Sequence, residues 1–492
     1  MRVLSIAGRP APDGATECSR GWSAARRQAS GVEPPDRTKQ AAHPEGVAQS
    51  VAVDNAMTSR LERSNPLNTY CILRALRFAV LLPAIIGPAF AADEWPAFRG
   101  PSGDGHADAA RIPVAWSETE NVTWQTLIHG RAWSSPVVSG TDIWLTTATE
   151  DGTQLSVLCV DLNSGSIRID RKVFDVENPT DIRAFNTYAS CTPVIENGRL
   201  YASWGSLGLA CLDAATGDTL WSRRDLECDH YRGPGSSPIL HNGKLYLHYD
   251  GFDFQFAIAL DAQTGETIWR TDRPTDFRTD NGDIKKAFAT PLVIEVNGRE
   301  QLISPASKGA FAYDAHTGEE IWRVLYDGFS TAARPLFAHG LVYLSAGFPR
   351  SEIIAVHPDG SGDVTDTHIA WSEKKLMPSK PSPLLVGDLL FVINDDGGVA
   401  TCLDALTGEK IWQERIGGNY SASPLYADGR VYFFSEDGKT TVIRAAREFE
   451  QLAENQLGDG CMASPAVIGD TLLLRSLSHL YRLDVAPPVS TP

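Results

Sequence analysis

The chain has 492 residues and is 42% hydrophobic, 21% charged and 9% aromatic. It is too apolar for a disordered polymer and long enough for one large domain or two to three ordinary ones. Its 44 basic and 61 acidic residues leave a net charge of −17, which excludes the basic footprint that nucleic-acid binding requires. Taken in chain order, residues 1–56 are rich in Ala, Arg, Ser, Gln and Pro without apolar periodicity and read as a disordered or non-native extension. Residues 57–91 read as a signal peptide. Arg60, Arg63, Arg74 and Arg77 precede the apolar run 78–92, which ends in the small-x-small site Ala89-Phe90-Ala91. Broken by Pro83, Gly87 and Pro88, that run is too short to cross a bilayer comfortably. Cys71 lies before the run, so a lipoprotein cleavage site is not supported, and translation from Met57 instead of Met1 would put the signal at the terminus. The reading is an exported protein, periplasmic or extracellular, with no transmembrane segment in the mature chain. Residues 92–120 form a lead-in segment.

From there the chain repeats. A small residue followed by proline and an apolar stretch recurs at Ser135-Pro136, Thr192-Pro193, Ser237-Pro238, Thr290-Pro291, Ser382-Pro383, Ser423-Pro424 and Ser464-Pro465, with Arg334-Pro335 as the odd member. The apolar stretch leads to a turn such as Asn197-Gly198, Asn242-Gly243 or Asp428-Gly429 and a second strand, the pattern of a tight hairpin. Further on, Asp213, Asp261, Asp314 and Asp404 each open an Asp-x-x-Thr-Gly turn and are followed eight residues later by Trp221, Trp269, Trp322 and Trp412. The Asp and Thr side chains suit the turn backbone, and the Trp is large enough to pack on a neighbouring sheet.

Four short antiparallel strands per repeat of this length define a propeller blade. Eight starts predict an all-β, eight-bladed β-propeller over residues 121–485, followed by a tail at 486–492. The last repeat lacks a fourth strand. The orphan strand at 121–128, with Trp124 in the repeat-Trp position, would complete it and close the ring. Three blades deviate: the first has Ile169 for Trp, the fifth has His357–Gly362 for the turn, and residues 444–457 of the seventh are predicted as a short helical excursion.

These residues resemble the pyrroloquinoline-quinone (PQQ) repeat family, whose repeat reads D-x-x-T-G-x-x-x-W. The segment running from Trp95 to Gly105 (WPAFRGPSGDG) is similar to the start of exported propellers of that kind. The resemblance implies the fold, but it covers two activities. One is quinoprotein dehydrogenases holding PQQ and calcium. The other is a non-enzymatic propeller lipoprotein of outer-membrane assembly. Quinoprotein alcohol dehydrogenases carry an adjacent Cys-Cys pair, which this chain lacks. The expectation is therefore a non-catalytic binding or scaffold module, monomeric and without a cofactor, acting on an envelope protein or an anionic small molecule or glycan. The alternative is a PQQ- and calcium-dependent oxidoreductase of alcohols or sugars.

Cys159, Cys211 and Cys402 each lie two residues before a repeat Asp, at equivalent third-strand positions, while a Cys191–Cys228 bridge is left open. Asp280-Asn-Gly-Asp283 and Asn394-Asp-Asp-Gly397 read as surface turns instead of calcium loops, and no metal site is predicted. The windows before the repeat starts reverse the overall charge. Arg131, Arg232, Lys285, Lys286 and Lys380, with Arg334 at a start, face one acid, Asp459, and Trp133, Tyr188, Tyr231, Phe288 and Tyr420 accompany them. These residues predict a positive, aromatic-lined channel mouth that binds an anion, with catalytic residues unassigned. The alternative is that acids from other loops neutralise the bases.

Overall fold

The computed structural model describes residues 94–107 and 110–485. The expected extension, signal peptide and C-terminal tail lie outside the described residues. Within them, eight antiparallel four-stranded blades form a β-propeller, and the one α-helix is Gly282–Lys285. No described helix is long and apolar enough to cross a membrane.

The first strands are Val137–Ser139, Val194–Glu196, Ile239–His241, Leu292–Val296, Leu336–Ala338, Leu384–Val386, Leu425–Ala427 and Ala466–Ile468. Each starts immediately after its repeat proline, whose missing N–H therefore falls outside the ladder. The hairpin turns take the backbone that Asn-Gly and Asp-Gly favour: φ is 51° and 73° at Asn197 and Gly198, and 45° and 76° at Asp428 and Gly429. Second and third strands are buried along most of their length because neighbouring blades cover both faces. The core is accordingly a ring of inter-blade layers, not one central mass.

The repeat turns hold these layers in register. The Asp213 carboxylate accepts the amides of Ala215 and Thr216, and Asp261, Asp314 and Asp404 do the same in their blades. Where the next blade carries the turn, the Trp of the preceding blade stacks on it. Trp221 Nε1 donates to Ala262 O at 3.1 Å, and Trp269 and Trp371 reach Ala315 O and Ala405 O. Where the fifth blade lacks the turn, Trp322 donates to Gln301, whose amide reaches Pro358 O. In the first blade Ile169 takes the Trp position and packs on Gly217.

Val122–Leu127 pairs antiparallel with His479–Leu483 and forms the outer strand of the eighth blade. The helical excursion predicted in the seventh blade is absent: Gln451–Gln456 is its fourth strand, paired with Lys439–Arg444. Pairing along that ladder, with Leu452 and Ala453 against the core, overrides the helix propensity of the Ala/Glu/Arg stretch. Cys191 and Cys228 form no bridge. All six described cysteines are free and buried, and burial pushes the Cys191, Cys159 and Cys402 thiols up to about 12.

Candidate functional site

The lead-in segment crosses one end of the ring. Glu94–Trp95 pairs with the first strand of blade 1, Pro96 O accepts from Ile195 N in blade 2, and Arg99 donates to Pro383 O in blade 6. His106–Ala107 then pairs parallel with blade 7. The turns need glycine: Gly100, Gly103 and Gly105 all have positive φ, and a Cβ on Gly103 would overlap the Arg334 guanidinium. The segment puts Phe98 at the floor of the channel.

Above that floor lies a cavity of about 890 Å³, lined by the loops that precede the first strands. At its neck, the residues before the repeat prolines form a belt of backbone-to-hydroxyl bonds. Ser135 N donates to Thr192 Oγ1 (2.9 Å), Thr192 N to Ser237 Oγ (2.9 Å) and Ser237 N to Thr290 Oγ1 (3.2 Å). The belt resumes from Arg334 N to Ser382 Oγ (3.0 Å), then runs to Ser423, Ser464 and back to Ser135. Arg334 breaks it, since it offers no hydroxyl to Thr290.

The eleven residues expected at the mouth separate. Trp133, Arg232, Phe288 and Lys380 line the cavity. Arg131 lies over the Trp133 ring at 5.2 Å and donates to Ala184 O. Tyr231 and Lys285 instead face Phe252, outside the cavity lining. Tyr188 and Tyr420 are buried structural residues, bonded to Thr180 O and Gly417 O. Lys286 is fully buried, its Nζ 3.1 Å from His230 Nδ1, and burial lowers its pKa. Arg334 turns to the floor, where its Nη1 donates to Phe98 O at 2.8 Å. The bases at the mouth also meet acids from other loops. Arg232 pairs with Asp283, and Lys380 with Glu436 at 2.9 Å. Asp395, its pKa raised by burial, accepts from the Ser379 hydroxyl and the Ser379 and Lys380 amides. The windows before the repeat starts could not show these acids, because Asp283, Asp395 and Glu436 lie outside the residues counted.

Sequence reasoning also missed Arg99 and Arg475. Both are buried arginines, and burial lowers each to about 9. Arg475 donates to Ser134 O and Oγ and to Thr146 O. A sequence signal existed only for Arg99, which sits inside the glycine-rich lead-in motif.

The donor set does not fit calcium. Among the described residues no group of three or more His, Cys, Asp or Glu is gathered to hold a metal. The carboxylates lining the cavity, Asp283 and Asp395, are taken up by Arg232 and by Ser379 and the Lys380 amide.

A family model described as outer membrane protein assembly factor BamB matches residues 107–271 and 254–486. The chain belongs to the PQQ-like β-propeller family. Relatives of this PQQ-like propeller fall in two groups. The dehydrogenase subunit of a quinone alcohol dehydrogenase from Komagataeibacter europaeus is 30% identical over 29% of this chain and 20% of its own length. BamB of Shewanella oneidensis is 20% identical over 60% of this chain and 74% of its own. The match spans about a fifth of the quinone alcohol dehydrogenase subunits and about half of BamB from Yersinia pestis. The solved structure of BamB from Moraxella catarrhalis covers 74% of this chain and 97% of its own at 15% identity with a TM-score of 0.53. The quinohemoprotein alcohol dehydrogenase of Comamonas testosteroni covers 81% and 82% at 12% identity with 0.51. Both likenesses are of fold.

Proposed function

We propose that this PQQ-like propeller is an exported, monomeric, non-catalytic binding module of the cell envelope, which takes a ligand or protein partner at the funnel mouth and uses no cofactor. The observation that carries this reading is the mouth itself. Arg232 pairs there with Asp283 and Lys380 with Glu436, and the exposed rings of Phe185 and Phe348 on the lining are the surface offered to a partner. Exposed aromatic side chains suit recognition, being large and poor in conformational entropy. The matches to quinone alcohol dehydrogenase subunits favour a second reading, a PQQ- and calcium-dependent oxidoreductase. Titration of the purified chain with PQQ and calcium separates the two: the expected result is neither cofactor absorbance nor dye reduction with ethanol or glucose. Bound cofactor with turnover would overturn the first reading. In the envelope fraction, Phe185→Ser with Phe348→Ser is expected to lose cross-linked partners that the native chain retains.

A further inference from the structure

We propose that the neck of the funnel is an oxyanion site, which takes the carboxylate end of a ligand whose apolar body lies against the aromatic wall above it. The first observation is the hydroxyl belt. Each of its seven hydroxyl oxygens accepts a backbone N–H from the preceding blade, while its own proton meets no acceptor among the described residues. Six of the seven residues line the cavity. Accepting a hydrogen bond polarises a hydroxyl and makes it a better donor, so the belt is a ring of donors without acceptors.

The second observation is independent of the first. Where the belt breaks, Arg334 is 7% exposed and its Nε has no partner; Arg99, beneath it, is 2% exposed and its Nε likewise has none. Arg475 is buried one residue from the belt at Ser134. None of the three forms an ion pair among the described residues, and Asp104 is the carboxylate that acts on Arg99 and Arg334 from a distance. Buried cations without an ionic partner are costly in any protein, and in a chain of net charge −17 carboxylates are plentiful. None of the three lines the cavity itself, so their charge acts on the ring of donors through the field and not by contact.

The wall above selects the rest of the ligand. Trp133, Phe288, Phe329 and Phe348 line the cavity over the belt. An arylalkyl carboxylate or an aromatic peptide C-terminus satisfies both levels, whereas a free inorganic anion satisfies only the lower one. This inference rests on the reading of the funnel as a binding cavity, but not on the identity of any envelope partner.

Calorimetric titration of the full chain with 3-phenylpropionate, 3-phenylpropanamide and inorganic phosphate tests it. The carboxylate is expected to bind at least about tenfold more tightly than the amide, because the two differ in charge and share a shape. Phosphate is expected to bind more weakly than 3-phenylpropionate. Ser423→Ala, which deletes one donor, and Arg334→Gln, which deletes the charge at the break in the belt, should each weaken the carboxylate several-fold; if Arg334→Gln does not fold, Ser423→Ala and Thr290→Val carry the comparison. Equal affinity for acid and amide overturns the oxyanion site, as do variants that bind like the native chain. Phosphate binding as tight as the carboxylate overturns the apolar half of the proposal. Phe185→Ser alone, which leaves the four wall residues in place, retaining carboxylate binding while losing partner capture would leave this site standing, so its failure and that of the envelope reading are distinguishable.

Discussion

His248 is enclosed in blade 3, its Nδ1 2.6 Å from Ser304 Oγ and its Nε2 against the Ala289 carbonyl. Burial, with Arg273 nearby and opposed by Asp250, pulls its pKa down to about 4 from an ordinary 6.5. The unfolded imidazole takes up a proton below pH 6.5 and the folded one does not until about 4. Stability is therefore intact above 6.5 and is lost as pH falls through that window, by roughly 3 kcal/mol for this group. His230 is shifted in the same direction by burial and adds to the loss. Urea midpoints measured between pH 7 and 4.5 should fall, and His248→Gln should flatten the fall; superimposable profiles would exclude His248 as a source. None of this was legible locally. The strand KLYLHYD announces a buried face, but not that Ser304 and Ala289, from blade 4 and the loop before it, satisfy the ring.

At the scale of the element, the Asp-x-x-Thr-Gly turn is where sequence and structure agree most closely, because its chemistry is local: an Asp carboxylate over two amides and a Gly at positive φ. The partner of the turn is less local. A Cβ on Gly265, whose φ is 75°, would lie 2.7 Å from the Trp221 ring of the previous blade. Gly265→Ala should therefore destabilise by about 2 kcal/mol or more, combining left-handed strain with displacement of the ring. In urea unfolding, Trp221→Ala and Gly265→Ala should be strongly non-additive, and additive effects would show that the docking is not coupled. The seventh blade marks the limit of such reading. Its fourth strand carries helix-forming residues, and only the ladder beside it makes it a strand.

For the whole molecule, stability rests on closing the ring. Val122–Leu127 supplies the outer strand of blade 8, and the belt bond from Ser464 N to Ser135 Oγ joins the last blade to the first. Removal of residues 1–130 should leave blade 8 with three strands and an open edge, and the truncated chain should self-associate at concentrations where the full chain is monomeric by light scattering. A monomeric truncation of unchanged melting temperature would show that closure there is dispensable. The amino-acid sequence by itself determined the blade count, the turns and their docking tryptophans, because those depend on residues within one repeat and its period. It also marked Arg334 as the odd member of the repeat starts, without saying what that meant. Only the tertiary structure decided that the lead-in segment floors the channel, that Asp283 and Glu436 neutralise Arg232 and Lys380, and that Lys286 and Tyr420 are buried. It also set Arg99 against Pro383 O, Arg334 against Phe98 O and Arg475 against Ser134 O, from three distant parts of the chain. Charge balance and burial in a ring are set by which blades become neighbours of a loop, and that information is carried by closure, not by spacing along the chain.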